Sequence, residues 1–458
     1  MRRHLYFVYV VLVFCHLVAA GQLGFEPPPP PTPKLIKAGR VLDVKSGAYL
    51  LNQGILTEGE RIKEIGPWEQ VQNHAPRDVT KIDLSHATLL PGLIDCHAHL
   101  VSSMEGRLSG GENILTAVAL SSASLRALMG AHNAKEDLEA GITSARVVGH
   151  SGIDGDVALR DAINYGWVPG PRLQASARKI TALGGQAVYL QNAVSKEILE
   201  QEFLPVSGPD EARRAVRENF ANGADLIKIV IDAGAGPTWQ FRYLAPEDAN
   251  AVVEDAHRLG LKVAAHATTK VAIQTAIDAG VDSVEHGDEA TDEQLRQMKE
   301  RGIFLVATDL WSNGRQYEYF SLFDAFTPAD TAALKAAEQK TTEQFKDRLQ
   351  RAMKIGVKIA MGSDMWSLWP GKTRGEASLL ELVELQKNGM PNIEIIRSST
   401  ANAAELMGWS DRVGEIAAGK FADVVAVEGD PLRDITSLQH ARFVMKGAVV
   451  VKNEMPEK

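Results

Sequence analysis

Short apolar runs alternate with amphipathic stretches through the middle of the chain, over residues 88–405. Eight such runs occur, among them "ADLIKIVIDAG", "LKVAAHAT", "VDSVEHG" and "VKIAMGSD". Intervening segments such as "TKVAIQTAIDAG" and "TDEQLRQMKERG" begin with a helix-capping residue and end in glycine. Eight strands alternating with helices predict an α/β fold, a (β/α)8 TIM barrel, in which the chemistry lies where the strands end.

The two ends of the chain follow a different pattern. Over residues 34–87 and 406–458, apolar and polar residues alternate in short bursts that are separated by glycine and polar turns. This period of two predicts antiparallel strands. We therefore expect both ends to build one small β-sandwich domain beside the barrel.

The first residues of the chain differ from all the others. A short basic start is followed by "LYFVYVVLVFCHLVAA", which ends in small residues, and the run is short for a membrane span. Residues 1–20 are therefore predicted to be a signal peptide, with an uncleaved anchor as the alternative. Residues 21–33, which contain "EPPPPPTP", are typical of a stiff linker. These segments predict an exported protein, periplasmic or extracellular, with no stable membrane span after signal cleavage.

The composition is that of a globular protein, with 45% hydrophobic and 23% charged residues. The net charge of -9 provides no basic surface for nucleic acid, which we do not expect as a partner. Of the two cysteines, Cys15 lies in the predicted signal peptide and only Cys96 follows it. A mature chain with one thiol forms no internal disulfide, so its stability must come from the core.

Polar residues of a particular kind end several of the apolar runs: His97 and His99, Lys228, His266, His286 and Asp364. His97 and His99 are two positions apart, which puts both on the same face of a strand, ~6.6 Å from each other along it. Each residue alone has an ordinary explanation, such as a packed histidine, a snorkelling lysine or a helix cap. Together they face one opening of the barrel, which favours a metal centre.

Lys228 is the informative member of this set. An ammonium group near metal ions would be repelled and costly to bury, whereas a lysine carboxylated by CO2 is an anionic ligand that can bridge two metals. We therefore predict two Zn²⁺ ions bridged by N6-carboxylated Lys228. His97, His99 and Asp364 would lie on one side, and His266 and His286 on the other. A hydroxide between the metals would attack a carbonyl, with Asp364 as general base and then acid.

The motifs "PGLIDCHAHL", "LIKIV", "AAHA", "EHG" and "GSD", in this order, resemble those of the amidohydrolase superfamily. Within it, the chain is most similar to the imidazolonepropionase-related hydrolases of Xaa-Pro dipeptides, N-acyl amino acids and ochratoxin-type amides. The resemblance covers nearly all of residues 34–452. It implies a binuclear zinc hydrolase that cleaves a small-molecule amide or dipeptide next to a free C-terminal carboxylate, and a homo-oligomer.

Two departures from the family pattern concern the substrate. "ARVVGHSG" stands where relatives usually have "VRDLGG", and "ALGGQ" where they often have "TGGH". The candidate substrate-binding residues are therefore His150 and Gln186 near these positions, Tyr243 near the tyrosine of the family, and Arg315. Arginine and tryptophan also occur in the other predicted mouth loops, at Trp239, Arg242, Trp311, Trp366, Trp369 and Arg374. Each of these residues has loop packing as its alternative role.

Two other functions remain open at this point. The same metal site would serve a hydrolase of cyclic amides, lactones or esters, which needs no arginine for a substrate carboxylate. A metal-dependent scaffold or solute-binding protein without activity is the third possibility. Asp364 argues against that possibility, because binding alone does not need a proton carrier.

Overall fold

The structure is a computed structural model, and it describes residues 29–102, 121–186, 192–233, 242–311, 328–366, 369 and 371–456. The predicted signal peptide, residues 1–20, lies outside the described residues, as does the predicted linker up to residue 28. No described helix combines the length and the apolar character that crossing a membrane requires.

Both chain ends contribute strands to one seven-stranded sheet. Its strands are β1 (Lys34–Asp43), β2 (Ala48–Glu58), β3 (Arg61–Pro67), β4 (Thr80–Pro91), β17 (Val424–Val427), β18 (Phe443–Lys446) and β19 (Val449–Asn453). Their order in the sheet is β19-β18-β17-β4-β1-β2-β3. β1 and β4 are parallel, and the other neighbouring strands are antiparallel. The two ends therefore form one sheet, while its division into the two layers of a sandwich stays a prediction.

Alternating side chains of this sheet share one hydrophobic cluster. Ile36 and Leu89 from the N-terminal strands pack with Val424 and Phe443 from the C-terminal strands, and all four are fully buried. The short helix α1 (Trp68–His74) covers part of the sheet through Val71. Burial of apolar residues from both ends in a common cluster explains why distant segments assemble.

The middle of the chain forms parallel strands in the eight predicted runs. They are β5 (Leu93–Ala98), β6 (Ile142–Val147), β7 (Arg172–Ala175), β8 (Lys179–Ala182), β10 (Leu226–Val230), β13 (Lys262–Ala267), β14 (Ser283–His286), β15 (Phe304–Val306) and β16 (Ile359–Ala360). Three further short strands are β9 (Phe203–Val206), β11 (Asp232–Ala233) and β12 (Arg242–Tyr243). The barrel strands that pair with each other are parallel, as the TIM-barrel prediction requires.

Backbone hydrogen bonds join the first barrel strand to the last. The amide of Cys96 donates to the carbonyl of Met361 at 2.8 Å, and the amide of Asp364 donates to the carbonyl of His97 at 2.8 Å. β5 therefore lies beside β16 and the residues that follow it. This pairing brings the end of the eighth run next to the histidines of the first.

The third run contains two strands where the sequence indicated one. β7 pairs with β6, and β8 pairs with β10, with a break between them at residues 176–178. The buried carboxylate of Asp156 accepts hydrogen bonds from the amides of Ser176 at 2.9 Å and Ala177 at 3.0 Å. Because these amides are used by a side chain, they are lost to the strand ladder, and the chain changes direction before Lys179.

Helices connect and cover the barrel strands. They are α2 (Ala123–Ala140), α3 (Gly155–Asn164), α4 (Asn192–Glu202), α5 (Pro209–Ala221), α6 (Pro246–Arg258), α7 (Lys270–Ala279), α8 (Asp292–Arg301), α9 (Pro328–Ile355), α10 (Arg374–Ser378), α11 (Leu380–Lys387), α12 (Asn392–Ser398) and α13 (Ala401–Leu406). The predicted caps occur in the structure: the hydroxyls of Thr269 and Thr291 cap α7 and α8, and Gly280 and Gly302 end them.

Candidate metal centre

The predicted ligands come together at the carboxyl ends of the barrel strands. The ring centroids of His97 and His286 are 5.1 Å apart, those of His97 and His99 5.2 Å, and those of His266 and His286 4.6 Å. The Nε2 nitrogen of His99 lies 3.0 Å from Oδ1 of Asp364. One ligand atom each of His97, His286 and Asp364 lie within 4.8 Å of one another, so a single ion could contact all three.

A buried carboxylate orients His97. The Nδ1 nitrogen of His97 lies 2.7 Å from Oε2 of Glu285, whose other oxygen accepts from Arg146 at 2.7 Å and from the hydroxyl of Ser283 at 2.5 Å. The side chains of Glu285 and Arg146 are at most 2% exposed. Donation from Nδ1 to a carboxylate leaves the lone pair of Nε2 for a metal, the arrangement found behind many metal-binding histidines.

Two other histidines are anchored in the same way. The Nδ1 nitrogen of His99 lies 2.9 Å from the carbonyl oxygen of Gly149. That of His286 lies 2.7 Å from the hydroxyl oxygen of Thr308, which itself donates to a backbone carbonyl. In both rings the proton is therefore assigned to Nδ1, and Nε2 keeps its lone pair.

Burial holds these imidazoles neutral. It lowers the pKa of His97 and His286 well below the ordinary value. The nearby Lys228 lowers both further, and His266 also lowers that of His286. The pKa of His266 falls to about 4, again chiefly through burial. Burial alone would raise the pKa of Asp364, but the proximity of His97 and the hydrogen bond from His99 outweigh it and lower the pKa to about 2. Neutral imidazoles and an ionised carboxylate are the forms that bind metals.

The amine of Lys228 is buried without a hydrogen-bond partner among the described residues. Burial lowers its pKa to about 8. A buried polar atom with no partner is costly unless something else binds it. The free amine is also the form that reacts with CO2, so both observations fit a carboxylated lysine and the donor set fits metal ions.

Residues 88–452 match the sequence model of the amidohydrolase family. The chain belongs to this family. Ochratoxinase of Aspergillus niger is 30% identical over 380 residues, which cover 78% of this chain and 73% of that protein. An imidazolonepropionase of Pseudomonas fluorescens is 26% identical over 415 residues, 86% of this chain and 92% of that protein.

Solved structures agree with this assignment. A Xaa-Pro dipeptidase with methionine bound in its active site has a TM-score of 0.77 and 31% identity, covering 92% of this chain and 99% of that one. The resemblance drawn from the motifs is thus confirmed, and this amidohydrolase is a hydrolase that acts on amide bonds. The roles of the individual site residues stay predictions.

Backbone strain in this amidohydrolase concentrates at the mouth of the barrel. Among the described residues, positive φ angles at non-glycine positions include His150 at 59°, His286 at 71°, Thr308 at 54° and Asp364 at 48°. Such angles are unfavourable for residues with a Cβ and persist only where the surroundings enforce them. In this chain such angles occur at the predicted site residues His150, His286 and Asp364, and at Thr308, which contacts His286.

Two of the candidate substrate residues, His150 and Gln186, contact the same buried lysine. The Nζ nitrogen of Lys179, on β8, lies 2.7 Å from Nε2 of His150 and 2.6 Å from Oε1 of Gln186. The ring of His150 is 4.7 Å from that of His99, between centroids. The pKa of Lys179 is lowered well below the ordinary value. Burial is the main cause, and the charge of the nearby Lys228 is the second.

The other candidates differ in their positions. Tyr243 lies in β12, opposite Asp232, and is 41% exposed. Arg315 and Trp239 lie outside the described residues. Arg374 is 5% exposed and its guanidinium donates to the carbonyl of His99 at 3.4 Å, so it packs against the end of the first strand, and a role for it in substrate binding stays a prediction. Trp366 and Trp369 join an apolar cluster with Leu310, Met365, Ala377 and Leu380.

Four residues of the site were not predicted from the sequence: Arg146, Glu285, Thr308 and Lys179. A signal existed for two of them: Arg146 and Glu285 are charged residues inside apolar runs, as Lys228 is. Their alternation within β6 and β14 places them inside the barrel, where unpaired charges are rare because they are costly to bury. An acid and a base in interior positions of two strands predict an ion pair, although not its contact with His97.

Proposed function

We propose that this amidohydrolase is an exported enzyme that cleaves the amide bond of a dipeptide or N-acyl amino acid next to a free C-terminal carboxylate. The observation that supports it most is the amine of Lys228, which is buried and has no hydrogen-bond partner among the described residues, beside imidazoles and a carboxylate. A carbamate at this position would replace an unsatisfied amine by an anion suited to metal ions.

Two Zn²⁺ ions fit the donor set. His97, His99 and Asp364 would hold one ion, His266 and His286 the other, and carboxylated Lys228 would bridge them. When bound, such ions polarise the carbonyl of an amide and make a water molecule more acidic. The anchored Nδ1 atoms of His97, His99 and His286 fix the rings in the orientation that this binding needs.

Asp364 is suited to the transfer of protons. Its pKa of about 2 keeps it ionised at neutral pH, and it lies at the end of β16 against His99. It would accept the proton of the attacking water and deliver it to the nitrogen of the departing amine, which is a poor leaving group until it is protonated. An amide substrate therefore needs this residue in both halves of the reaction.

Two comparisons support the substrate class. The relative from A. niger is named an ochratoxinase, and the Xaa-Pro dipeptidase binds methionine, a free amino acid, in its active site. Trp366, the partly buried member of the apolar cluster that follows Asp364, would contact an apolar side chain of the substrate. A small acylated amino acid combines an amide, a carboxylate and such a side chain.

A substrate screen tests the proposal. The purified enzyme, loaded with Zn²⁺, is assayed on dipeptides and N-acyl amino acids that differ only in the C-terminal residue, beside a set of lactones and esters. Asp364→Asn serves as the catalytically impaired control. Turnover of amides that exceeds that of lactones and esters supports the proposal. Preferential turnover of lactones or esters contradicts the proposal and favours a hydrolase of lactones or esters that uses the same metal site.

Export and assembly are part of the same proposal. Expression of the full chain in a bacterial host, followed by N-terminal sequencing, is expected to give a mature protein that begins at Gly21 and is found outside the cytoplasm. Retention of residues 1–20 would favour an uncleaved anchor. We further propose a homo-oligomer, which light scattering of the purified enzyme tests through its molar mass.

A further inference from the structure

The amine of Lys179 is buried beside the predicted metal centre, and no acidic side chain among the described residues pairs with it. Its side chain is 2% exposed, and its Nζ is bonded to His150 and Gln186, neither of which is an anion. No ion pair of Lys179 with an acidic side chain occurs in the described part of the chain. Buried cations in proteins are nearly always paired with an acid, because an isolated charge is costly to bury. Burial accordingly lowers the pKa of Lys179, and an anion that arrives with a ligand would favour the charged form of this amine.

Lys179 lies on the same side of the barrel wall as the predicted bridging lysine. Ile180 pairs with Ile229 between the parallel strands β8 and β10, so the preceding residues, Lys179 and Lys228, are neighbours with the same orientation. His150, which Lys179 contacts at 2.7 Å, lies next to His99, with 4.7 Å between the two ring centroids. Lys179 is therefore connected to the predicted metal ligand His99 through one residue, His150.

The loop after β6 is built around this lysine. A Cβ atom at Gly149 would lie 2.4 Å from Cγ of Lys179, so the stem of the lysine fits only because residue 149 is glycine. The carbonyl of the same glycine accepts the hydrogen bond of His99. Arg126, paired with Glu202, donates to the carbonyl of His150 at 2.8 Å and holds the loop from the other side.

We propose that Lys179 binds the free carboxylate of the substrate, with His150 and Gln186 positioning its ammonium group. This inference rests on the proposed function and adds to it the residue that selects for a free acid. A charge-assisted hydrogen bond from an ammonium to a carboxylate is stronger than one to a neutral amide. The enzyme should therefore discriminate between a substrate with a free carboxylate and the same substrate with a carboxamide.

Matched substrates and variants test this. The best N-acyl amino acid or dipeptide of the wild type is compared with its C-terminal carboxamide in the wild type, Lys179→Met, Lys179→Arg and Lys262→Met. Lys262 is the control, because it begins β13 at the opposite end of the barrel, where it pairs with Asp282 at 3.0 Å. Lys179→Met should lower kcat/KM for the free acid about 30-fold or more, chiefly through KM. Its effect on the carboxamide should stay within about 3-fold.

Lys179→Arg should keep part of the preference for the acid, and Lys262→Met all of it. Equal losses for acid and carboxamide in Lys179→Met, with metal content unchanged, would mean a structural role and overturn the proposal. A wild type that cleaves carboxamides as well as acids also overturns it, while amide hydrolysis itself stands.

A wild type that cleaves no amide would instead defeat the proposed function. Calorimetric titration of the zinc-loaded wild type and Lys179→Met with a free amino acid and with its amide then decides the role of Lys179 alone. Tighter binding of the acid that disappears in Lys179→Met supports it. Equal affinities of acid and amide for the wild type overturn it.

Discussion

The Nδ1 nitrogen of His97 lies 2.7 Å from Oε2 of Glu285, and both side chains are at most 2% exposed. The second oxygen of Glu285 is held by Arg146. Arg146, Glu285 and His97 thus form a hydrogen-bonded network inside the barrel, which connects a cation through a carboxylate to a predicted metal ligand. Such a network fixes the orientation of the His97 ring and raises the basicity of its Nε2 nitrogen.

Replacement of Glu285 by glutamine should weaken metal binding. The amide keeps the shape of the side chain but carries no negative charge, so it orients His97 poorly and leaves Arg146 as an uncompensated buried cation. We expect a loss of metal affinity of about 10- to 100-fold, measured by chelator competition.

The Glu285→Gln variant should also be less stable, because Arg146 loses its buried partner. Its free energy of unfolding in denaturant should fall by about 3–5 kcal/mol. Glu293→Gln, on the exposed face of α8, is the control and should match the wild type in both measurements. Wild-type metal affinity in Glu285→Gln would show that His97 does not depend on this carboxylate.

Replacement of Lys228 by alanine should remove the metal ions and the activity together. If the lysine acts as a carbamate, a short carboxylic acid added to the variant can occupy the vacated space and supply oxygen ligands, so partial recovery of both is expected. Metal content by elemental analysis and turnover are measured with and without the added acid. Lys358→Ala, which removes a surface lysine paired with Glu405, is the control. A fully active Lys228→Ala enzyme would refute the carbamate.

The barrel and its main polar residues could be predicted from the sequence for one physical reason. The apolar period marks each strand, and in a barrel all strand ends face the same opening. Residues at strand ends, such as His266 and Asp364, are thereby assigned to one site without knowledge of any contact. The same reasoning gave the paired positions of His97 and His99.

Other parts of the site depend on contacts between distant segments. Lys179 reaches the mouth because β7 and β8 are separate strands, and that break depends on the carboxylate of Asp156 on helix α3. Nothing in the residues around the break marks it. The contact of Glu285 with His97 likewise requires two strands that are far apart in sequence to face each other across the barrel.

Replacement of Asp364 by asparagine should leave at least one metal bound but remove most turnover. The amide can still offer an oxygen to a metal, but it cannot accept a proton at neutral pH. We expect kcat to fall by roughly 10²- to 10⁴-fold. Elemental analysis and steady-state kinetics check this, with Asp347→Asn on the exposed face of α9 as control. A rate within a few-fold of the wild type would mean that another group carries the proton.

Stability of the metal-free enzyme should fall as the pH drops from 6.5 to 4. The pKa of His266 is lowered from 6.5 to about 4 by burial, so in this window the unfolded chain binds the proton and the folded chain does not. Protonation then favours the unfolded chain. At pH 4 this residue should lower the free energy of unfolding by about 3 kcal/mol.

Denaturant unfolding with a chelator present, at a series of pH values, measures this effect. His266→Asn should show a smaller loss across the same window, because asparagine does not titrate. An identical pH dependence in the two proteins would mean that the imidazole of His266 titrates alike in the folded and unfolded chains.

Replacement of Gly149 by alanine should impair the site at the mouth of the barrel more than the strain of a positive φ angle alone would. Gly149 has a φ of 101°, and an added Cβ would also meet Cγ of Lys179 at 2.4 Å. Gly280, with a φ of 80° and no atom near its would-be Cβ, provides a control with the backbone penalty only. Each substitution should cost about 1–3 kcal/mol of unfolding free energy from the backbone. Only Gly149→Ala should also lower kcat/KM for free-acid substrates, because Lys179 and the carbonyl that anchors His99 both shift; equal kinetic effects of the two substitutions would contradict this coupling.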